Sequence, residues 1–364
     1  MKKKKILFVA NSTWSMIRFR REVILDYIQR GFDVTIATPD RRSLAVELPN
    51  WSFVNFSMSR RGLNPLSDIW SFTQLLFLYT RIRPDFIFHY TIKPNIWGSM
   101  AAGILRIPNI AVVTGLGFVF IKQSFLLKIV SGLYRIAFFR AKEVWFLNAE
   151  DRDEFINRKI LPFEKTKVLP GEGINLVDFS YASDFSDQPT FLLIARMLWD
   201  KGIGEFVEAA KYLKAKYPYV KFQLLGPIDD GNPSAISLST INTWTTSGII
   251  EYLGESTDVR PFVNNCTCLV LPSYREGIPR VLLEGAAMGR PLITTDAIGC
   301  RNTVVHGKTG YLVPLKDTKE LINSIEHVIH LPKSSLQEIG LAGRKLVEEN
   351  FSIERVLQHY GSAF

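Results

Sequence analysis

Short, largely apolar runs, each followed by a helix-length segment, restrict the fold of this chain more than any other feature. In the first half they are KILFVA (5–10), FDVTIATP (32–39), DFIFHYT (85–91), NIAVVTG (109–115) and EVWFLN (143–148). Helices are predicted from about Arg18 to Arg30, stopped by Gly31, and from about Pro65 to Arg83, ended by Pro84. Strands this apolar are buried on both faces, and helices between them carry the crossovers of a parallel sheet. The alternation lapses in a polar stretch without period up to Pro189. It restarts with TFLLIAR (190–196), KFQLLG (221–226), EYLG (251–254), CLVLPS (268–273), PLITTD (291–296) and GYLVP (310–314). Helices follow Gly202, start at Pro279 and run on from Asp317. The expectation is an α/β chain of two doubly wound, Rossmann-like domains facing across a cleft. Residues 1–172 form the first, 173–189 a linker and 190–364 the second, whose last helix is a candidate to cross back to the first. Ligands of such sheets bind beyond the carboxyl ends of the strands, so functional residues are sought there.

The totals agree with this division. A chain of 364 residues suits two domains of ordinary size, and 47% hydrophobic content excludes a disordered or fibrous protein. Cys266, Cys268 and Cys300 are too few, and odd in number, for a disulfide framework, and imply a reducing compartment. Cys266-Thr-Cys268 has no second ligand pair at zinc spacing and is read as core. The basic run Lys2–Lys5 precedes an apolar run too short for a leader. The longest apolar stretch, about 110–121, is interrupted by Thr114, Gly115 and Gly117. A cytoplasmic protein is expected. The net charge of +9 is uneven: residues 1–140 hold 20 Lys/Arg against 7 Asp/Glu, and the remainder 24 against 28. An anionic partner for the first half follows, with a solvated surface as the alternative.

Chemistry-bearing residues cluster after strands of the second half. SYREGIPRVLLE (273–284) sets Glu276 and Glu284 on either side of a Gly-x-Pro turn. Gly277 lets backbone approach a ligand, and Pro279 suits the first turn of a helix. Glu284 has the character of a ribose-binding carboxylate. Arg196 ends TFLLIAR and Lys201 precedes the next helix; two cations beside a helix N-terminus make a diphosphate site. A preference for acids at helix starts accounts for Glu276 alone, not for these companions. Gly226 opens a polar turn running to Pro233, and Gly254 precedes Glu255, Ser256 and Thr257; both turns are candidates to shape the site. Asp151-Arg-Asp153 has the form of a metal-binding pair, yet it falls at a helix start and is read as complementing the helix dipole.

LIARMLWDKGIGEF (193–206), LPSYREGIPRVLLEGAAMGRPLITTDAIGC (271–300) and GKTGYLVP (307–314) resemble the donor domain of retaining GT-B glycosyltransferases of family 4, over residues 190–315. The resemblance implies that Glu276, Gly277, Ile278 and Pro279 grip the donor sugar. It assigns the ribose to Glu284 and the leaving diphosphate to Arg196 and Lys201, with Gly226 and Gly254 also on the donor side. DFIFHYTIKPNIWGSMAA (85–102) and VVTGLGFVF (112–120) resemble a narrower branch, the α-N-acetylgalactosaminyl- and galactosyltransferases acting on undecaprenyl-diphosphate saccharides. That branch implies a catalytic histidine, His89, or Lys93 and Asn95 in its place. Arg18, Gly115 and Gly117 join the acceptor side.

The implied reaction moves a hexose or N-acetylhexosamine from a UDP-sugar co-substrate to a lipid-linked saccharide with retention. It uses no metal and no further cofactor, in the assembly of O-antigen, capsule or another surface glycan. Ile121–Arg140 is basic and apolar at helical spacing: Lys122, Lys128, Arg135 and Arg140 punctuate Phe125, Leu126, Ile129, Leu133, Ile136 and Phe139. It is either an interfacial helix at the inner face of the membrane or a core helix. Trp70–Arg83, with Arg60 and Arg61 before it, is similarly ambiguous. Two rival readings are a nucleotide-sugar 2-epimerase and a non-catalytic protein that binds an anionic surface. No nucleic-acid motif accompanies the charge.

Overall fold

The structure, a computed structural model, describes residues 3–40, 51–59, 64–116, 120 and 125–363. Gly117, Lys122, Arg60 and Arg61 lie outside the described residues. By its internal contacts the chain divides into two units, Met1–Glu172 with Val356–Phe364, and Gly173–Arg355.

The first unit is built on strands β1 (Lys5–Val9), β2 (Asp33–Thr38), β3 (Trp51–Asn55), β4 (Phe86–Tyr90), β5 (Asn109–Val113), β6 (Glu143–Phe146) and β7 (Thr166–Val168). They form one parallel sheet in the order β3-β2-β1-β4-β5-β6-β7. Chain order reverses between β1 and β4. Right-handed crossovers therefore put α1 (Thr13–Gln29) on one face and α2 (Pro65–Ile82), α3 (Ser99–Ile104), α4 (Phe125–Phe138) and α5 (Ala149–Asn157) on the other. Helix α1 begins five residues before the predicted start, because the Ser12 side chain caps it by accepting the Ser15 N–H. Helix α5 is capped by Asn148, which accepts the Asp151 N–H, so Asp151 sits in a first helical turn as its sequence position implied. Asp153 pairs with Arg152.

One side of this sheet carries an aromatic core of Phe8, Phe88 and Trp145, closed by a residue from the far end of the chain. Tyr360, on α12 (Ile353–Gly361), lies 5.2 Å from Phe88 and 5.0 Å, edge-on, from Trp145. Its hydroxyl is 3.0 Å from that of Tyr90, and its carbonyl accepts the Tyr27 hydroxyl at 2.7 Å. Beside it Arg20 is buried against Glu172, with its guanidinium 4.6 Å from the centre of the Tyr90 ring. These contacts tie α12 to the first unit.

His89 points to the opposite face, and here the sequence-based expectation is corrected. It is fully buried inside β4: the Tyr79 hydroxyl is 2.9 Å from Nε2 and the Ser99 hydroxyl 3.3 Å from Nδ1. A Cβ on Gly98 would come within 2.4 Å of the ring. Burial pushes the imidazole down to about 3, against a smaller opposite pull from Asn109. A neutral ring sealed in the core is a packing group, and His89 leaves the catalytic set.

The second unit holds β8 (Thr190–Ile194), β9 (Lys221–Leu225), β10 (Glu251–Tyr252), β11 (Cys268–Leu271), β12 (Leu292–Thr295) and β13 (Gly310–Val313), parallel in the order β10-β9-β8-β11-β12-β13. Helices α6 (Ile203–Lys216) and α10 (Thr318–His330) pack together, as do α9 (Arg280–Ala287) and α11 (Lys333–Asn350), while α7 (Leu238–Thr246) and α8 (Arg260–Asn265) follow β9 and β10. The order reverses here too, between β8 and β11. Residues 173–189, read as a linker, are part of this unit. Ile174, Phe179 and Phe185 are buried, and the buried Arg290 donates to the carbonyls of Asp184 and Ala182 at 2.7 and 3.2 Å. Three apolar anchors at irregular spacing leave no periodic signal. All three cysteines are free and buried, and burial pushes Cys266 and Cys300 up to about 12.

Two outcomes are expected in the first unit. Tyr360→Ala, which empties the aromatic core, costs about 3–5 kcal/mol in urea unfolding. Tyr360→Phe, which loses only the hydroxyl, costs about 1 kcal/mol; equal costs would place the stabilisation in the hydroxyl instead. For His89, the folded value lies below the unfolded one. Its contribution is therefore complete above about pH 6.5 and is lost as pH falls, by up to about 1.4 kcal/mol per pH unit. NMR should show the His89 ring untitrated between pH 8 and 5, and His89→Gln should flatten the acid limb of stability. A ring that titrates near pH 6.5 contradicts the sealed site.

Candidate active site

The turns after β8 and β11 meet where strand order reverses, and two glycines make the meeting close. Gly202 has φ +73°, and a Cβ there would stand 2.1 Å from the Pro272 carbonyl oxygen. Only glycine lets the turn before α6 lie against the end of β11. Gly299, at φ +80°, runs equally close beneath the other side: a Cβ would stand 2.3 Å from the Glu276 carbonyl oxygen and 2.5 Å from that of Gly277. The Glu276 N–H donates to the Ile298 carbonyl at 3.0 Å, and the Tyr274 N–H to that of Asp200 at 2.9 Å. The backbone carrying Glu276 is thus fixed from both neighbouring loops.

This framework brings Lys201 and Glu276 together. Lys201 Nζ donates to Glu276 Oε1 at 2.5 Å, and the Ser273 hydroxyl donates to the same oxygen at 2.8 Å. The lysine and glutamate side chains are 15% and 17% exposed, enough for a ligand to reach and little enough to weaken screening by water. Glu276 Oε2 makes no hydrogen bond among the described residues and is the oxygen left to accept a hydroxyl. Ser273 is held in turn: its carbonyl accepts from the Thr295 hydroxyl, and its hydroxyl also approaches the Asp200 carbonyl at 3.3 Å.

The other predicted donor-side residues surround this pair. Pro279 is the residue before α9 rather than its first helical residue, with Gly277 and the buried Ile278 just ahead of the positive end of the helix dipole. Glu284 is 2% exposed, and Arg280 Nε donates to its Oε1 at 2.8 Å. A carboxylate has lone pairs for several donors, so this pairing orients Glu284 without exhausting it. Arg196 is half-exposed and pairs at 2.8 Å with Asp229, from the turn that Gly226 opens. Gly226 and Gly254 are joined by an N–H to carbonyl bond of 2.7 Å. Two cations are therefore present at this end of the sheet, each held by a carboxylate. Sequence reasoning missed Ser273, Asp229, Arg280 and Gly299. Ser273 and Arg280 stood inside the motif, but only the fold shows what they touch.

In the first unit, Lys93 directly precedes a π-helical segment, Pro94–Gly98, that contains Asn95 and leads into α3. Lys93 pairs with the nearly buried Asp68 at 2.7 Å. Asn95 is buried, donates to the Val112 carbonyl at 2.9 Å and keeps an unpartnered Oδ1. Arg18 lies on α1, and Gly115, at φ +144°, follows β5. Among the described residues there is no group of three or more metal-ligating side chains, and no helix is long and apolar enough to cross a membrane.

Comparison with known proteins agrees with this architecture. The family model described as glycosyl transferases group 1 matches residues 188–330, and that described as glycosyl transferase 4-like matches residues 5–148. The chain is 31% identical, over 98% of both sequences, to the N,N'-diacetylbacillosaminyl-diphospho-undecaprenol alpha-1,3-N-acetylgalactosaminyltransferase of Campylobacter jejuni. It is 26% identical to the capsular polysaccharide biosynthesis glycosyltransferase CapM of Staphylococcus aureus, over all of this chain and 97% of CapM. The crystal structure of Anabaena HepE in complex with UDP-glucose superposes with a TM-score of 0.81, at 19% identity over 98% of each chain. The chain belongs to the group 1, family 4-like glycosyltransferases and has their GT-B fold.

Proposed function

We propose that this glycosyltransferase moves a hexose or N-acetylhexosamine from a UDP-sugar to a saccharide carried on a lipid diphosphate, in the assembly of a bacterial surface glycan. The Lys201–Glu276 pair, pinned by Gly202 and Gly299, carries the reading. Glu276 Oε2 receives a sugar hydroxyl while Lys201 and Arg196 face the diphosphate. Glu284, oriented by Arg280, takes the ribose hydroxyls. The acceptor class rests on the name of the Campylobacter relative, and the donor class on the UDP-glucose held by HepE. The Campylobacter relative and CapM both carry glycosyltransferase names, which favours transfer over epimerisation.

The acceptor hydroxyl oxygen bonds to the anomeric carbon as the bond from that carbon to the diphosphate breaks. The electron pair leaves on the diphosphate oxygen, which takes the hydroxyl proton. Charge grows on that oxygen in the transition state, so cations already in place stabilise it more than they stabilise the bound donor. With His89 sealed in the core, the leaving group is the base, and attack on the face it vacates retains configuration. Arg196 and Lys201 perform the neutralisation that a divalent ion would otherwise supply.

The outer faces of α2 and α4 bear the membrane side of the reading. Helix α4 buries Leu127, Val130, Tyr134 and Phe138, so the two sequence alternatives are its two faces. Phe125, Ile129, Ile136 and Phe139 are exposed with Lys128 and Arg140 among them, and Leu66, Ile69, Trp70 and Phe77 are exposed on α2. Arg135 instead donates to the Arg158 and Lys159 carbonyls at the end of α5. Basic flanks on an apolar face suit an anionic bilayer, where a lipid-linked acceptor resides.

Nucleotide release from a panel of UDP- and GDP-sugars, with and without membrane lipid extract, tests the reaction. The expected result is lipid-dependent UDP release from one sugar, unchanged by EDTA. Lys201→Ala and Glu276→Ala each lower turnover by roughly 10²–10³-fold, while Glu284→Ala acts mainly on donor affinity. Manganese-restorable loss in EDTA would overturn the metal-independent mechanism, and full activity in Glu276→Ala the site. Separately, Ile129→Ser/Ile136→Ser should abolish sedimentation with anionic vesicles while leaving UDP binding intact; undiminished sedimentation removes the role given to α4.

A further inference from the structure

The edge of the first sheet at which β1 and β4 begin, opposite the edge that carries Lys93 and Gly115, holds a cavity of about 520 Å³ lined mainly by cations. Lys3, Lys4 and Lys5 enter it from the start of β1, and Arg81 and Arg83 from the end of α2. Its one carboxylate, Asp85, is engaged by the backbone, accepting the Lys5 N–H at 2.7 Å. Lys5 Nζ is 3.3 Å from the Ile82 carbonyl oxygen. The side chains of Lys3, Lys4, Arg81 and Arg83 make no ion pair or hydrogen bond among the described residues.

The carbonyl end of a helix favours a nearby cation, which accounts for Arg81 or Lys5. It does not account for five around one acid. Arg83, the residue that ends α2, lines the cavity as well, so both arginines of this turn face the same space as the three lysines. Clustered like charges repel, and an anion seated among them relieves that repulsion. Two arginine forks with two or three ammonium groups match the oxygens of a phosphate rather than a lone carboxylate.

We infer that this cavity is a binding site for a phosphate group, on the opposite edge of the sheet from the acceptor-side residues and independent of the transfer reaction. The phosphate comes either from an anionic lipid headgroup or from a soluble phosphate or diphosphate. The exposed Phe77 lies one helical turn before Thr80, which lines the cavity, so an apolar face adjoins the charges.

Inorganic pyrophosphate is the probe, titrated into the full chain carrying Arg196→Ala and Lys201→Ala so that the donor site does not compete. Binding is followed by calorimetry and by the backbone amide signals of Thr80 to Asp85. In that background, Lys3→Ala/Lys4→Ala/Arg81→Ala should weaken binding at least tenfold and erase the local shifts. The charge-conserving Lys3→Arg/Lys4→Arg/Arg81→Lys should retain both. Vesicles of phosphatidylglycerol in phosphatidylcholine identify the source. If the alanine variant also loses vesicle binding, the site takes a lipid phosphate; if vesicle binding persists, it takes a soluble one, and the site stands in both cases. No pyrophosphate binding, no shift in Thr80 to Asp85, or an unchanged dissociation constant in the alanine variant overturns the inference, whatever the vesicles show.

Discussion

A strand that rejoins a parallel sheet must do so through a crossover on one face, and the hand of that crossover is fixed. Once the sequence commits to parallel strands, reversing the strand order sends consecutive helices to opposite faces. That leaves an unfilled notch at the carboxyl edge, between the two strands where the order turns. The reversal lies between β1 and β4 in the first unit and between β8 and β11 in the second. In the second unit Arg196, Lys201, Glu276 and Glu284 stand after β8 or β11, the two strands that flank the reversal, or on the helix that follows, and Gly226 and Gly254 stand after the neighbouring β9 and β10. Their location follows from the connectivity; their chemistry follows from which residues the loops carry.

Within that notch, backbone separation does the selecting. Lys201 and Glu276 are 75 positions apart and meet because Gly202 allows its loop to touch the Pro272 carbonyl. A side chain at Gly202 would push the lysine away from the glutamate without altering either functional group. Gly299 performs the same service from the β12 side. The ion pair is small, but it marks a backbone arrangement built before any ligand arrives. Groups that need not move when charge develops on a leaving oxygen lose nothing to reorganisation.

The parts of this molecule legible in its sequence were those with local repetition or compact spacing. The apolar strands KILFV, FIFHY and NIAVV, and the E-x7-E spacing of Glu276 and Glu284, could be located without coordinates. Strand β3, WSFVN, lies at a sheet edge with no buried residue and gives no apolar run to find; β7, TKV, is three residues long. Residues 173–189 looked like a linker because their anchors follow no period. The helix start at Ser12 was hidden by a polar stretch in which serine is as common in loops as at caps. His89 misled for a different reason. A histidine near a strand end has the right chemistry for catalysis, and only Tyr79, Ser99 and Gly98, from two other elements, show that its ring points into the core. The partners of charged groups were the least legible: nothing in the sequence joins Arg196 to Asp229, or Arg20 to Glu172.

That last gap bears on the basic first half. From Phe56 to Arg140 the chain has two carboxylates, Asp68 and Asp85. Asp68 is taken by Lys93 inside the fold, and Asp85 by the backbone of Lys5. Neither acid lies on α4, and the cations of α2 and α4 outnumber them, so positive charge stays exposed beside Phe77, Ile129 and Ile136. A solvated surface alone would need the cations but not the aromatic and aliphatic side chains among them, which gain nothing from water. An apolar ligand surface alone would need the reverse. The combination on one layer of helices is what supports the proposed contact with an interface carrying both hydrocarbon and phosphate.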